Sequence, residues 1–565
     1  MNRNRFIPII IAASLVAGIV FGTFLANRFS GNRLNIINTS SNKLNDLLHM
    51  IEEQYVDTVY INDLVEDAMP LILSDLDPHS SYIPAKEATS ANDDLRGSFS
   101  GIGVQFTIKH DTVYISNVIH GGPSEKTGIM PGDRIISVDE EPYVGEVVTN
   151  EETMHRLKGE KGTKVKIEVL RHGERKSFTI TRGDIPVHSI DASYMLTSKL
   201  GYVRIRNFGE TTYPELLIAL ADLEAKNFKG LVVDLRGNGG GYLASAIQLA
   251  NEFLPEDKLI VYTQGRKAKR EDYKSDGRGS YQKLPLIVLT DETTASAAEI
   301  FSGAIQDNDR GIIVGRRSFG KGLVQQPIEF ADGSLVHLTI ARYYTPSGRC
   351  IQKPYTKGKS EDYELDLITR YNRGEFFNED SIRQTGEQYK TSIGRIVYGG
   401  GGIMPDYFVA EDTTLFTTYY TETASRGYIT EFCFNYTDQN RSTLAQFAKV
   451  EDLLQYLRRQ HLVEQFVHFA DSKGVQRRNN MIRHSQRLFE KAIYGNIIYN
   501  MFDMEALLRF NNQDDPTIQR AIQLFEEGLT CPTLPEETPP MPVKKVAVNI
   551  ISFHQHQSIH HFAKA

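Results

Sequence analysis

Asp291-Glu292-Thr293-Thr294-Ala295-Ser296-Ala297-Ala298-Glu299 lies between an apolar run, Leu286 to Thr290, and a helical pattern that extends to Gln306. An apolar strand that turns into a helix at a serine places a hydroxyl at the helix start. Further along comes Gly320-Lys321-Gly322-Leu323-Val324-Gln325, a lysine between two glycines. If Ser296 and Lys321 meet in space, the chain holds a serine nucleophile with a lysine general base, which is a hydrolase arrangement.

Each stretch also has a purely structural reading. Ser296 and Glu299 fit a capping box, in which serine and a glutamate three residues on satisfy helix-end N–H groups. The two roles are compatible, because the positive end of a helix can also stabilise an oxyanion. Gly315 to Lys321 imitates the start of a phosphate-binding loop, but Gly322 stands where that loop needs Ser or Thr, and Pro327 disrupts the helix that should follow. Asp234-Leu235-Arg236-Gly237-Asn238-Gly239-Gly240-Gly241 imitates a dinucleotide fingerprint, with Tyr242 where its third glycine belongs. That loop is better suited to aiming a backbone N–H at a developing oxyanion.

Around these motifs the order is strand, helix, strand, helix. Gly230 to Leu235, Leu286 to Thr290 and Ile312 to Val314 are expected strands, with helices at Tyr242 to Phe253 and Ser296 to Gln306, which implies parallel pairing. Leu323 to Phe330 and Ser334 to Tyr344 form an extended pair turning at Ala331-Asp332-Gly333. Glu361 to Lys390 is polar and is expected to be an insertion. Ser442 to Glu527 is helical in pattern, and the proline-containing end carries His554, His556, His560 and His561, which suit a solvated tail better than a metal site.

Upstream, Ser98 to Thr181 alternates as short strands with one helix near Glu151 to Leu157. Gly101-Ile102-Gly103-Val104, then Gly121-Gly122-Pro123-Ser124, then Pro131-Gly132-Asp133-Arg134-Ile135 resemble a PDZ domain. The glycines let the N–H groups of Ile102, Gly103 and Val104 turn towards a carboxylate, so a chain end can be held there. Before this segment, Asn42 to Leu73 has the spacing of two helices, broken at Leu76-Asp77-Pro78-His79-Ser80-Ser81-Tyr82, where His79 suits a turn or packing role.

Whole-chain properties narrow the classes. A net charge of -8 over 565 residues, with basic and acidic residues interspersed, gives no patch for nucleic acid. Phe6 to Ala26 is uncharged and apolar, and as a helix would cover roughly 30 Å, the thickness of a bilayer core. An uncleaved single-pass anchor is expected, in a bacterial inner membrane with the bulk in the periplasm; a cleaved leader that delivers the chain there is the alternative. Three cysteines make no disulfide framework, and no zinc ligand motif is present, so neither metal nor cofactor is expected.

Taken in order, these motifs, with Tyr344-Thr345-Pro346-Ser347-Gly348-Arg349, resemble the carboxyl-terminal processing peptidases, or tail-specific proteases, of the S41 serine peptidase family from about Asn42 to Val409. The resemblance implies a multidomain α/β and β chain, with a crotonase-like α/β peptidase core, an inserted PDZ domain and a helical C-terminal region. The expected divisions are 1–30 anchor or signal, 31–92 helical, 93–183 PDZ, 184–412 core with an insertion near 355–390, 413–530 mostly helical, and 531–565 tail. It further implies Ser296 as nucleophile, Lys321 as base, Gln325 as the residue orienting that base, and Asp307 as an acidic relay. Gly239 or Gly240 with the N–H of Ala297 would form the oxyanion hole. The substrates would be proteins with exposed C-terminal tails, and a homo-oligomer or adaptor partner is possible. Lysine is almost wholly protonated at neutral pH, so Lys321 must be desolvated and kept apart from carboxylates, with the neutral amide of Gln325 as its partner. An inactive PDZ adaptor and a crotonase-type acyl-CoA enzyme are the competing readings.

Overall fold

The computed structural model describes residues 41–534, except 89–92, 110, 172, 384 and 385. The apolar run Phe6 to Ala26 and the histidines beyond 550 lie outside the described residues. Among the described residues no helix is long and apolar enough to cross a membrane.

The core is a six-stranded sheet in the order 190–195, 200–205, 230–234, 286–290, 312–315 and 407–408. The first pair is antiparallel and every later pair is parallel. Gly230–Asp234 and Leu286–Thr290 are buried along their whole length, as strands covered on both faces must be. One face packs against the helices Thr212–Ala225, Leu243–Phe253 and Ala297–Asp307, through Leu220, Leu249 and Phe301 among others. On the opposite face, Ile518, Ala521 and Leu524 of the helix Pro516–Glu526 meet Val232, Ile287 and Val314.

The region 413–530 is therefore not one unit. Helices between Thr418 and Met501 enclose their own core around Phe466, Phe489 and Ile493, whereas the last helix belongs to the core sheet. Its amphipathic pattern was visible in the sequence, but the surface it covers was not. Glu361 to Lys390, expected as an insertion from its polarity, makes buried contacts with the core. Its polarity reflects buried pairing: Arg370 and Arg317 share Glu375, and Arg370 Nη1 donates to the Ser318 carbonyl at 3.1 Å, close to the site described below.

The PDZ sheet runs 104–109, 112–118, 134–138, 164–171 and 174–181, with the helix Asn150–Leu157 beside it. Strand Ser98–Gly101 entering this unit pairs with strand Gly183–Pro186 leaving it, so both crossings occur in one two-stranded ribbon. Strand Val104–Lys109 is the sheet edge, the position at which an extended peptide can add.

The helical unit docks on the outer side of this sheet through Phe434. That side chain is buried yet is no part of the helical unit's own core. It makes an edge contact with Tyr114, with ring centroids 5.9 Å apart, and lies 4.1 Å beneath the Lys109 ammonium. Lys109 also donates to Asn435 Oδ1 at 3.1 Å, and Tyr499 OH donates to Gln105 at 3.1 Å. Burial of one aromatic side chain is worth about 1.5–3 kcal/mol. Phe434→Ala should accordingly accelerate amide exchange across residues 104–118 while leaving the helices around Phe466 protected. Unchanged exchange in the PDZ strands would show that Phe434 does not hold the two units together.

Candidate active site

A cavity of about 860 Å³ opens where the C-terminal ends of the parallel strands meet the extended pair 323–344. Its wall includes Gly239, Ser296, Ala297, Lys321, Leu323, Gln325 and Tyr343, together with Leu95 and Arg96 from the stretch that leads into the PDZ unit. Motifs separated along the chain are thus brought together.

Asp234 holds the glycine-rich loop at its root. Its fully buried carboxylate meets Arg204, Arg236 and the Tyr202 hydroxyl, and Arg236 and Arg204 keep it ionised to well below the usual carboxylate range despite its burial. Asn238 then ties the loop to its neighbours. Its amide donates to the Ile205 carbonyl, and its own carbonyl accepts from Ala295 N–H at 2.9 Å. Gly240 has φ +103, and a methyl group there would sit 2.7 Å from Ser296 Cβ and 2.9 Å from the Ala297 nitrogen. Only glycine lets this backbone approach the helix start so closely.

Ser296 itself has φ +56 and ψ −118, a conformation that a non-glycine residue holds at a cost of about 1–3 kcal/mol. Beyond the helix's own hydrogen bonds to its carbonyl, from Glu299 and Ile300 N–H, two contacts hold it there. Its N–H donates to Glu299 Oε2 at 2.9 Å, and its carbonyl accepts from the Tyr343 hydroxyl at 3.1 Å. Glu299 does far more than return a cap. Fully buried, its carboxylate also accepts from Ser318 Oγ at 2.5 Å, Gly320 N–H at 2.8 Å and Lys321 N–H at 2.8 Å. Oε2 serves both Ser296 and Lys321, so their backbone nitrogens can be no more than about 6 Å apart. Burial pushes the Glu299 carboxyl up to about 7, against four hydrogen bonds that favour its charged form.

Burial likewise pushes the Lys321 amine below its ordinary value, opposed by Glu299 and Asp77. The expectation that Lys321 stands apart from carboxylates is thus corrected. Two lie within electrostatic reach, but their oxygens are occupied by N–H and O–H donors, and desolvation outweighs them. Gln325 lines the same cavity, with its amide nitrogen donating to Thr339 Oγ1 at 3.3 Å.

Among the oxyanion candidates, Gly240 N–H is already engaged by Asn238 Oδ1 at 2.8 Å. Neither Gly239 nor Ala297 N–H donates to another group among the described residues. Asp307 is not at the site. It ends the helix that Ser296 begins, 11 residues on, or about 16 Å along the axis. There it pairs with fully buried Arg349 at 2.7 Å and accepts from Thr345 and Ser347, closing the turn after Tyr344. In the PDZ unit, Ile102 and Gly103 keep their carbonyls engaged by Ser124 and Ile119, while their N–H groups donate to nothing among the described residues. Gly103 has φ +76, which turns this backbone outward.

The sequence reading left out Thr339 and Tyr363, and gave Asp77 and His79 no part in the site. His79 meets the Tyr363 hydroxyl at 2.8 Å, and burial followed by the Lys321 charge lowers its pKa to about 3. Among the described residues no group of three or more His, Cys, Asp or Glu side chains could hold a metal ion. Removing Asp307 would leave Arg349 an unpaired buried charge, a loss of about 3–5 kcal/mol. Asp307→Ala should therefore lower the thermal midpoint while the protein that remains folded keeps its turnover. Lost turnover with an unchanged midpoint would restore the relay role.

The S41 peptidase family model matches residues 199–365, the PDZ model residues 100–181, and a family of unknown function, DUF8443, residues 419–503. The chain is 36% identical to the carboxy-terminal processing protease CtpA of Bacillus subtilis over 343 residues, 59% of this chain and 73% of that protein. It is 34% identical to CtpB of the same organism, over 57% of this chain and 68% of that protein. A carboxy-terminal-processing protease of Bartonella bacilliformis is 35% identical over 55% of this chain and 72% of that protein. With this glycine loop, serine helix and lysine turn gathered on one cavity, the chain belongs to the carboxy-terminal processing protease family of S41 serine peptidases.

Proposed function

We propose that the protein is an endopeptidase of the cell envelope that captures protein C-terminal tails on its PDZ unit and cleaves them with Ser296 and Lys321. The observation that carries this reading is the shared Glu299 oxygen, which holds the backbones of nucleophile and base side by side. Neutral Lys321 takes the proton of Ser296 Oγ as that oxygen attacks the scissile carbonyl. The oxyanion then forms between Ala297 N–H and Gly239 N–H, at the positive end of the helix. Lys321 returns the proton to the leaving amine, and water releases the acyl group by the same path in reverse.

Gln325 orients the lysine without adding charge. The tail carboxylate would sit on the free N–H groups of Ile102 and Gly103, with Val104 starting the edge strand on which the rest of the tail pairs. Residues Phe6 to Ala26 would anchor the chain in an inner membrane, with the PDZ and peptidase units on the periplasmic side.

The test is turnover of a substrate with an unstructured tail. Ser296→Ala and Lys321→Ala should each abolish cleavage, chelators should leave it intact, and loss of the tail's last residues should raise KM. Because the base must be neutral, kcat/KM should rise with pH along a limb whose midpoint lies below the ordinary lysine value, the direction in which burial moves Lys321. Retained cleavage in either variant would refute the dyad.

A further inference from the structure

The segment Leu76 to Ser80 lies outside both the PDZ and peptidase matches, yet it is hydrogen-bonded to the hairpin that carries Gln325 into the active-site cavity. Strand Ser81–Ile83 pairs antiparallel with the core hairpin, Ser81 opposite His337 and Ile83 opposite Leu335. That register brings the preceding turn beneath Thr339. Asp77, 6% exposed, accepts from His79 N–H, Ser80 N–H and Thr339 Oγ1 on one carboxylate oxygen and from Ser80 Oγ on the other. Ser80 Oγ in turn accepts from Thr339 N–H at 3.1 Å.

We infer that Asp77, acting through Thr339, is a positioning residue that sets which end of the Gln325 carboxamide faces Lys321. This rests on the Ser296 and Lys321 reading above. An ionised carboxylate only accepts, so the single hydroxyl proton of Thr339 is committed to Asp77 at 3.0 Å. What Thr339 can offer Gln325 is therefore a lone pair, and Gln325 must present its NH₂, as it does at 3.3 Å. Oε1 is then the end available to the lysine. A neutral amine that donates one N–H to Oε1 has its lone pair fixed in direction, which is what proton transfer from Ser296 requires.

Other groups facing Lys321 do not supply this direction. Glu299 holds the backbone of Lys321, and His79 and His337 are imidazoles whose pKa values are lowered first by burial and then by the Lys321 charge. Asp77→Asn removes the constraint, because an amide can donate to Thr339 and reverse the chain of hydrogen bonds. It also removes a charge that raises the Lys321 pKa.

The experiment compares Thr339→Val, Thr339→Ser and Asp77→Asn with Ser296→Ala and Lys321→Ala. Rates are normalised to folded protein, measured by the amplitude of the thermal unfolding transition, so unfolded protein does not enter. Thr339→Val should lower kcat at least about tenfold with little change in KM, and Thr339→Ser, which keeps the hydroxyl, should restore it. Asp77→Asn should lower kcat and move the rising limb of the pH profile to lower pH. Normal kcat per folded protein in Thr339→Val, or an unmoved limb in Asp77→Asn, would overturn the inference. If those variants are normal while Ser296→Ala and Lys321→Ala are dead, only the positioning role falls. Activity in the latter two would instead reject the dyad itself.

Discussion

One buried carboxylate organises this molecule. Glu299 receives four hydrogen bonds, from Ser296, Ser318, Gly320 and Lys321, and so ties the start of the Ser296 helix to the lysine turn 22 residues later. A carboxylate without these donors would not remain charged there, since burial pushes it up to about 7 even with all four in place. The strained backbone of Ser296 and the tight 318–322 turn depend on the same contact. Ser318 Oγ also accepts from Ile403 N–H, which extends the hold to the segment entering the last core strand.

The electrostatic design follows from burial rather than from a paired charge. A surface lysine beside two carboxylates would be held protonated. Here Glu299 and Asp77 spend their oxygens on backbone and hydroxyl donors, and desolvation lowers the amine in spite of them. Packing places the groups that make this possible. The core sheet fixes the glycine loop and the serine helix, and the hairpin 323–344 brings the lysine across.

Periodicity and turn chemistry made most of this legible in the sequence. The parallel strands and the hairpin fall within a residue of where they were expected, because apolar runs and glycine turns are local signals. The serine and lysine were legible as a pair only through a family resemblance. The spacing of Ser296 and Glu299 pointed to a cap, and nothing local revealed that Glu299 also binds the lysine turn. Asp307 was placed at the site because its sequence neighbourhood matched, but a helix of 11 residues carries it to the opposite end. Asp77 and Thr339 stand 262 residues apart, and only strand register brings them together. The segment 361–390 was judged by its polarity, which conceals buried ion pairs.

The central claim is that Lys321 serves as a neutral amine. Its titration can be followed by heteronuclear NMR of the full-length Ser296→Ala protein carrying ¹³C-labelled lysine, with the resonance assigned by its loss in Lys321→Ala. The account predicts a midpoint clearly below that of the bulk lysines, near 10.5. A midpoint at or above that value would mean that Glu299 and Asp77 hold the ammonium charged, and would contradict it.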